Sequence, residues 1–189
     1  MKVQALLALP FFFPFLMGCA TAVHAQTMKP GLWEVSSKMQ GGIGHVIAAM
    51  QEQMAKMPPD QRKMMQDMMA KQGTSMGAAG PGSVTSKVCL TKEMIERNEM
   101  PGAQSDCTST ASQRVGNAMK TSFTCAKQGS SGEGQFTFIS PEAYTVKMSI
   151  NGVVQGKSEK TDIEGAGKWL ATDCGTVKPI AIPKMDTKK

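Results

Sequence analysis

The chain has 189 residues, 41% of them hydrophobic but only 5% aromatic, and a formal net charge of +6. That length suffices for one domain with a real core, and the core has to be built from aliphatics and methionine rather than from rings. The basic residues are scattered, apart from a small group at Lys184, Lys188 and Lys189; scattered lysines form a solvated surface, not a nucleic-acid footprint.

Residues 1–25 have the form of a secretory signal. Lys2 is its lone charge, an apolar run extends from Val3 to Met17, and Gly18 breaks the run before a small-residue region. The run is shorter than the about 20 apolar residues of an ordinary membrane span. The expectation is therefore an exported protein, periplasmic or secreted, with no nucleic-acid partner. Two cuts compete. Val23-His24-Ala25 fits cleavage after Ala25, whereas Leu16-Met17-Gly18-Cys19 looks like a bacterial lipobox. The second cut ends the leader at Gly18 and attaches lipid to Cys19, giving an outer-membrane-anchored lipoprotein whose membrane contact is that anchor. Cys19 leaves the thiol count either way. Cys89, Cys107, Cys125 and Cys174 remain, and an even number in an exported chain implies two disulfides. Their spacing is not CxxC, which disfavours zinc-ribbon and thioredoxin-like chemistry.

The folded part opens on the turn signal Pro30-Gly31. Leu32 to Met39 then reads as a strand with a partly broken alternation, ended by Gly41-Gly42. After it the period changes. Ile43, Val46, Ile47, Met50, Met54 and Met57 recur at steps of three and four, on one helical stripe. Pro58-Pro59 stops that helix, and Pro59 suits the first turn of another. Met64, Met65, Met68 and Met69 form its wider stripe, with Gly73 as a cap signal. Residues 43–72 thus predict two short amphipathic helices inserted into a β protein. The Gly-, Ala-, Ser- and Pro-rich residues 73–83 predict a flexible return loop.

From residue 84 the chain reads mostly as strands. Val84–Leu90 is one, Thr91 caps a short helix over 92–98, and Pro101-Gly102 turns the chain. Cys107–Val115 and Ala118–Ala126 form a hairpin about Gly116-Asn117; the Ser-Gly residues 129–132 read as a turn. Gln135–Ile139 and Ala143–Ile150 follow. Asn151-Gly152 is a strong two-residue hairpin signal leading into Val153–Ile163, and a last strand within 167–174 carries Trp169. Trp33 and Trp169 meet if the first and last strands are neighbours. Such short strands, without a βαβ rhythm, predict a mainly β fold: an antiparallel meander of seven or eight strands curling into a barrel or half-barrel, with a two-sheet sandwich as the alternative. The expected β domain spans 28–175, and 176–189 is a tail expected to fray.

One disulfide follows from register. A hairpin about Gly116 opposes residues whose numbers sum to about 232, which Cys107 and Cys125 satisfy, and facing cysteines have the short separation that a disulfide needs. Cys89 then pairs with Cys174.

Met28-Lys29-Pro30-Gly31-Leu32-Trp33-Glu34, just after a leader, resembles the opening motif of the bacterial domain-of-unknown-function family 3617. Val88-Cys89-Leu90-Thr91 resembles its second motif, Gly132-Glu133-Gly134 its glycine-bearing strand start, and Cys107, Cys125 and Asp173-Cys174 its remaining cysteine positions. The resemblance covers roughly residues 28 to 175 and implies a small exported β domain; it carries over no catalytic residues.

Catalytic chemistry is sparse in these residues. His24 lies in the leader, which leaves His45 as the one histidine a Ser-His-Asp or Cys-His arrangement would use. GxSxG, HExxH and phosphate-cradling glycine motifs are missing. Glu93, Glu96 and Glu99 share one face of the short helix but read as a solvated acidic face. No catalytic residue, cofactor or metal ligand is assigned. Methionine is the one chemical peculiarity: 17 in the chain, with Met50, Met54, Met57, Met64, Met65, Met68 and Met69 clustered on the predicted helices. The leading expectation is a non-enzymatic envelope binding module that presents this pair of helices to an envelope protein or lipid. A carrier of lipid or another small apolar ligand is the alternative. Copper(I) binding by thioethers ranks below both.

Overall fold

The computed structural model describes residues 27–77, 79–96, 107–111 and 114–179. Among these residues eight strands form one antiparallel sheet: β1 (Gly31–Gly41), β2 (Thr74–Met76), β3 (Ser83–Leu90), β4 (Cys107–Ala111), β5 (Ala118–Cys125), β6 (Ser130–Ser140), β7 (Ala143–Val154) and β8 (Lys157–Ala171). Their spatial order is β2-β3-β1-β8-β7-β6-β5-β4. The two ends, β2 and β4, do not pair, so the sheet is an open half-barrel. Among the described residues three helices complete it: α1 (Gly42–Ala55), α2 (Pro59–Lys71) and α3 (Lys92–Glu96). The leader with Cys19, residues 97–106 with Glu99 and the turn at Pro101-Gly102, and the chain from residue 180 lie outside the described residues.

Registered partners share a sheet face, and the registers sort the side chains cleanly. One row runs Phe138–Tyr144–Gly167–Val35 and the next Met119–Phe136–Val146–Gly165–Ser37. Trp33 sits on the same face, and with Leu90 and Met94 of α3 these rings and aliphatics make the buried core. The opposite face carries Glu34, Lys38, Lys147, Glu164 and Asp162 at the alternate positions. Large and small residues compensate across strands: a methyl group on Gly167 would overlap the Tyr144 ring. The strands expected over Val153–Ile163 and within 167–174 are thus joined, with Gly165-Ala166-Gly167 inside one unbroken 15-residue strand.

Two turn assignments are corrected. Asn151 and Gly152 are paired residues within β7, opposite Lys160 and Glu159. The hairpin turns four residues later, at Gln155 and Gly156, whose φ values of 51° and 80° are both positive, as a twist-matched two-residue turn requires. Placing the turn there keeps Val146, Met148 and Ile150 on the core face. Ser130 to Gly132, read as a turn, already belong to β6; the chain reverses just before them, at Gly129. The expected return loop contains β2, which pairs with β3 through Thr74, Ser75 and Met76.

Burial has one titratable consequence in the core. Desolvation pushes the Tyr144 phenol up to about 12 from an ordinary value of 10.0. The unfolded chain therefore ionises first, so this contribution to stability is complete below about pH 10 and is lost as pH rises through about 12. Tyr144 is the chain's one tyrosine, so tyrosinate absorbance reads it alone. The expected midpoint lies near that of unfolding, and Tyr144→Phe removes this part of the alkaline loss of stability. A midpoint at the ordinary value in the folded protein would refute the assignment.

Candidate interaction surface

Of the seven clustered methionines, Met50 and Met54 lie on α1, Met57 in the turn that follows it, and the other four on α2, and the two helices relate differently to the sheet. α1 grows directly from the end of β1 and is tied down along its length. At its start the Ile43 N–H donates to Thr161 Oγ1 at 3.0 Å. Thr161 is a buried β8 residue, so a strand side chain fills the capping role that Gly41 lacks. Further on, Gln51 donates from Nε2 to the Ser83 carbonyl at 2.8 Å and accepts from the Gly82 N–H at 2.9 Å. Met54 is buried, Met57 half-buried and Met50 46% exposed.

α2 behaves otherwise. Pro59 starts it and Asp60 stands in its first turn, where an acid is favoured by the helix dipole. The Gln72 and Gly73 N–H groups donate back to the Met69 and Ala70 carbonyls, and Gly73 turns with φ 73° as an end cap does. None of its 13 residues is buried. Met64, Met65 and Met68 are 64%, 37% and 57% exposed, and Met69 is half-buried. Steps of three and four align the four methionines along one side, while Lys63, Gln66 and Ala70 take the other. Periodicity alone predicts both apolar stripes; it does not reveal that one helix is packed and the other stands off.

The cysteines staple the sheet at both ends. Cys107 and Cys125 oppose each other directly between β4 and β5 and are bonded, with a Cα separation of 4.0 Å. Cys89 of β3 is bonded to Cys174, with a Cα separation of 5.6 Å. That bond reaches across the start of β1, because β3 and β8 flank β1 on its two sides.

The opening motif forms a clasp at the same end. Trp33 Nε1 donates to the Lys29 carbonyl at 2.9 Å, and Trp169 Nε1 donates to the Pro30 carbonyl at 3.1 Å. Lys29 reaches Glu142 at 2.5 Å and lies 4.9 Å above the Trp169 ring. Trp33 and Trp169 are paired across β1 and β8, Trp33 fully buried and Trp169 half-buried. The motif residues thus have structural employment.

Sequence reading missed one feature, an open cleft of about 690 Å³ on the polar face of β4 to β8. Its floor is a ladder of Ser122, Glu133, Ser149 and Asp162 beside Lys120, Gln135, Lys147 and Glu164. Lys147 meets Glu164 at 3.5 Å and Lys160 meets Asp162 at 3.0 Å. The hydrogen bond from Ser149, with Lys160 alongside, holds the Asp162 carboxyl below its ordinary range. The alternation that buries Met119, Phe136 and Val146 is the signal that would have found this face. These two ion pairs are exposed, as on an ordinary solvated sheet surface. His45 is exposed on the first turn of α1. Among the described residues no group of three or more His, Cys, Asp or Glu stands close enough to hold a metal.

An open antiparallel half-barrel, stapled by two disulfides and carrying a methionine-faced helix on its outside, defines a class of small β module. The chain belongs to the family described as "Protein of unknown function (DUF3617)", whose model matches residues 28–174. A protein of Pseudomonas putida, described as "Uncharacterized protein in lpd-3 5'region", is 38% identical over 130 residues, which are 66% of this chain and 87% of that protein. No solved structure matches the chain.

Proposed function

We propose that the protein is an exported binding module of the cell envelope, without catalytic chemistry of its own, whose docking surface is the methionine side of α2. One observation carries the reading: a 13-residue helix contributes no buried residue to the fold, yet keeps four methionines on one side. An exposed apolar stripe of this kind marks an interaction site. The occupant is a protein surface with an apolar groove that takes a helix. Unbranched thioether side chains re-pack against a shaped partner. A helix that lies in lipid buries Trp, Phe or Leu instead, and α2 has none of these.

A photo-crosslinking residue at Met68 in living cells is expected to yield one discrete protein adduct. Met64→Lys with Met65→Lys should abolish that adduct and leave the thermal midpoint unchanged. A diffuse ladder, or an adduct indifferent to the two lysines, sinks the reading; co-flotation with anionic vesicles would assign the face to lipid. The leader supports export. The mass of protein extracted from cells separates a chain beginning at Gln26 from one beginning at an acylated Cys19, the lipid-anchored form.

A second reading, a small apolar-ligand carrier, has one observation in its favour. Met39, Phe123, Met148, Ile150 and Ile163 lie half-buried on the core face of the sheet, beyond the aromatic core and toward α1. A ligand retained through native extraction would be its mark.

A further inference from the structure

We propose that the α2 methionines are a reversible oxidation site, and that their conversion to sulfoxides switches docking off; the second half rests on the docking reading above. Among the described residues the thioethers range from buried to exposed, with Met50 at 46% and several half-buried between the extremes. Met54, Met94 and Met119 are 8%, 5% and 2% exposed, whereas Met64 and Met68 are 64% and 57% exposed. Oxidation needs an oxidant to reach the sulfur, so susceptibility follows exposure. What an added oxygen does then depends on what the side chain supports. On Met119 or Met94 it places a polar S=O among Trp33, Phe136 and Tyr144, where a dipole without a partner is strongly disfavoured. On α2 it meets water, because that helix buries nothing. The apolar side of α2 consists of methionine alone, so the modification that leaves the fold untouched removes the whole stripe at once. Leucine, isoleucine, valine or phenylalanine in the same places would not turn polar under the same reagent.

The step balances with a peroxide as oxidant. The sulfur lone pair attacks the terminal peroxide oxygen, the S–O bond forms as the O–O bond breaks, and the proton passes to the departing oxygen as water or an alcohol. Sulfur loses two electrons and the peroxide gains them. A dithiol reverses the step: it is oxidised to a disulfide, the sulfoxide returns to thioether, and the oxygen leaves as water.

The test treats the full chain with graded hydrogen peroxide and maps sulfoxides by peptide mass spectrometry. Met64 and Met68 should oxidise at least tenfold faster than Met54, Met94 and Met119, with the thermal midpoint constant until α2 is fully converted. Even oxidation across the chain, or a midpoint that falls in step with α2 sulfoxide, overturns the site; this arm needs no partner. The second arm repeats the crosslink at a neighbouring exposed position, Gln61, after oxidation. The adduct should be lost from the parent chain and kept by a variant with leucine at 64, 65, 68 and 69, which presents an apolar side that peroxide cannot alter. An adduct that survives α2 oxidation in the parent chain overturns the switch and leaves docking standing. No adduct before oxidation overturns docking and the switch together, and leaves the site to the first arm.

Discussion

Replacing Cys89 and Cys174 together by alanine is expected to lower the free energy of unfolding by about 4–5 kcal/mol, a large share of the 5–15 typical of a domain. The bond closes a loop of 85 residues, and in the chain-entropy account the stabilisation grows with the logarithm of loop length. The Cys107–Cys125 bond closes only 18 residues, for which the same account gives about 3 kcal/mol. Topology points the same way. Cys107–Cys125 joins strands that are already consecutive and paired, whereas Cys89–Cys174 holds two segments that meet only through β1 between them. Denaturant midpoints of the two double-alanine variants, compared at a common slope, give the ranking. Equal losses, or a larger loss for Cys107–Cys125, would contradict it. Peptide mapping of the untreated protein should first recover both bonds, and a Cys89–Cys107 peptide would overturn the pairing itself.

Trp33→Ala carries the second large effect, about 3–5 kcal/mol. The indole is the largest fully buried side chain in the protein, and it stacks obliquely on Tyr144 with centroids 5.6 Å apart. Its removal leaves a cavity bounded by side chains from several strands and α3, which a sheet pinned by backbone ladders cannot close. It also frees the Lys29 carbonyl, to which Trp33 Nε1 donates, and so loosens the segment that carries Lys29 to Glu142 and Trp169. Trp169 is the internal comparison. It is half-buried and lies beneath an exposed lysine, so Trp169→Ala should cost less than half as much. Calorimetric midpoints decide it: a Trp33→Ala loss under about 1 kcal/mol, or parity between the two tryptophans, would mean the core is centred elsewhere.

Legibility in the sequence followed the physics of each signal. The helices were readable because Ile43 to Met57 keep a three-four step and Pro58-Pro59 imposes a stop that no tertiary contact can override. The β4–β5 register was readable because a hairpin fixes the number sum of its partners. Asn151-Gly152 misled because local turn chemistry competes with register. The dipeptide permits a turn, but twelve paired positions between β7 and β8 outweigh it, and Gln155-Gly156 accommodates the same φ values. Residues 164–166 fell between two expected strands because what suits the glycines of β8 lies on neighbouring strands: the ring of Tyr144 at Gly167, and Val146 and Ser36 at Gly165. The candidate surface was half readable. The stripe on α2 was plain, but its freedom from the sheet depends on where α1 is tied, through Thr161 and Gln51, and no periodicity encodes that. The polar cleft was legible only as the complement of the core face.

The adjacency of β1 and β8 bears on how the chain is made. More than a hundred residues separate these two strands, yet they lie side by side in the middle of the sheet. During synthesis β1 can find β3 early, but its other ladder stays open until β8 has been produced. Closure of the sheet therefore waits on β8. Assembly of such distant pairings is slow, and for that interval the unpaired side of β1 is the nascent chain's main aggregation hazard.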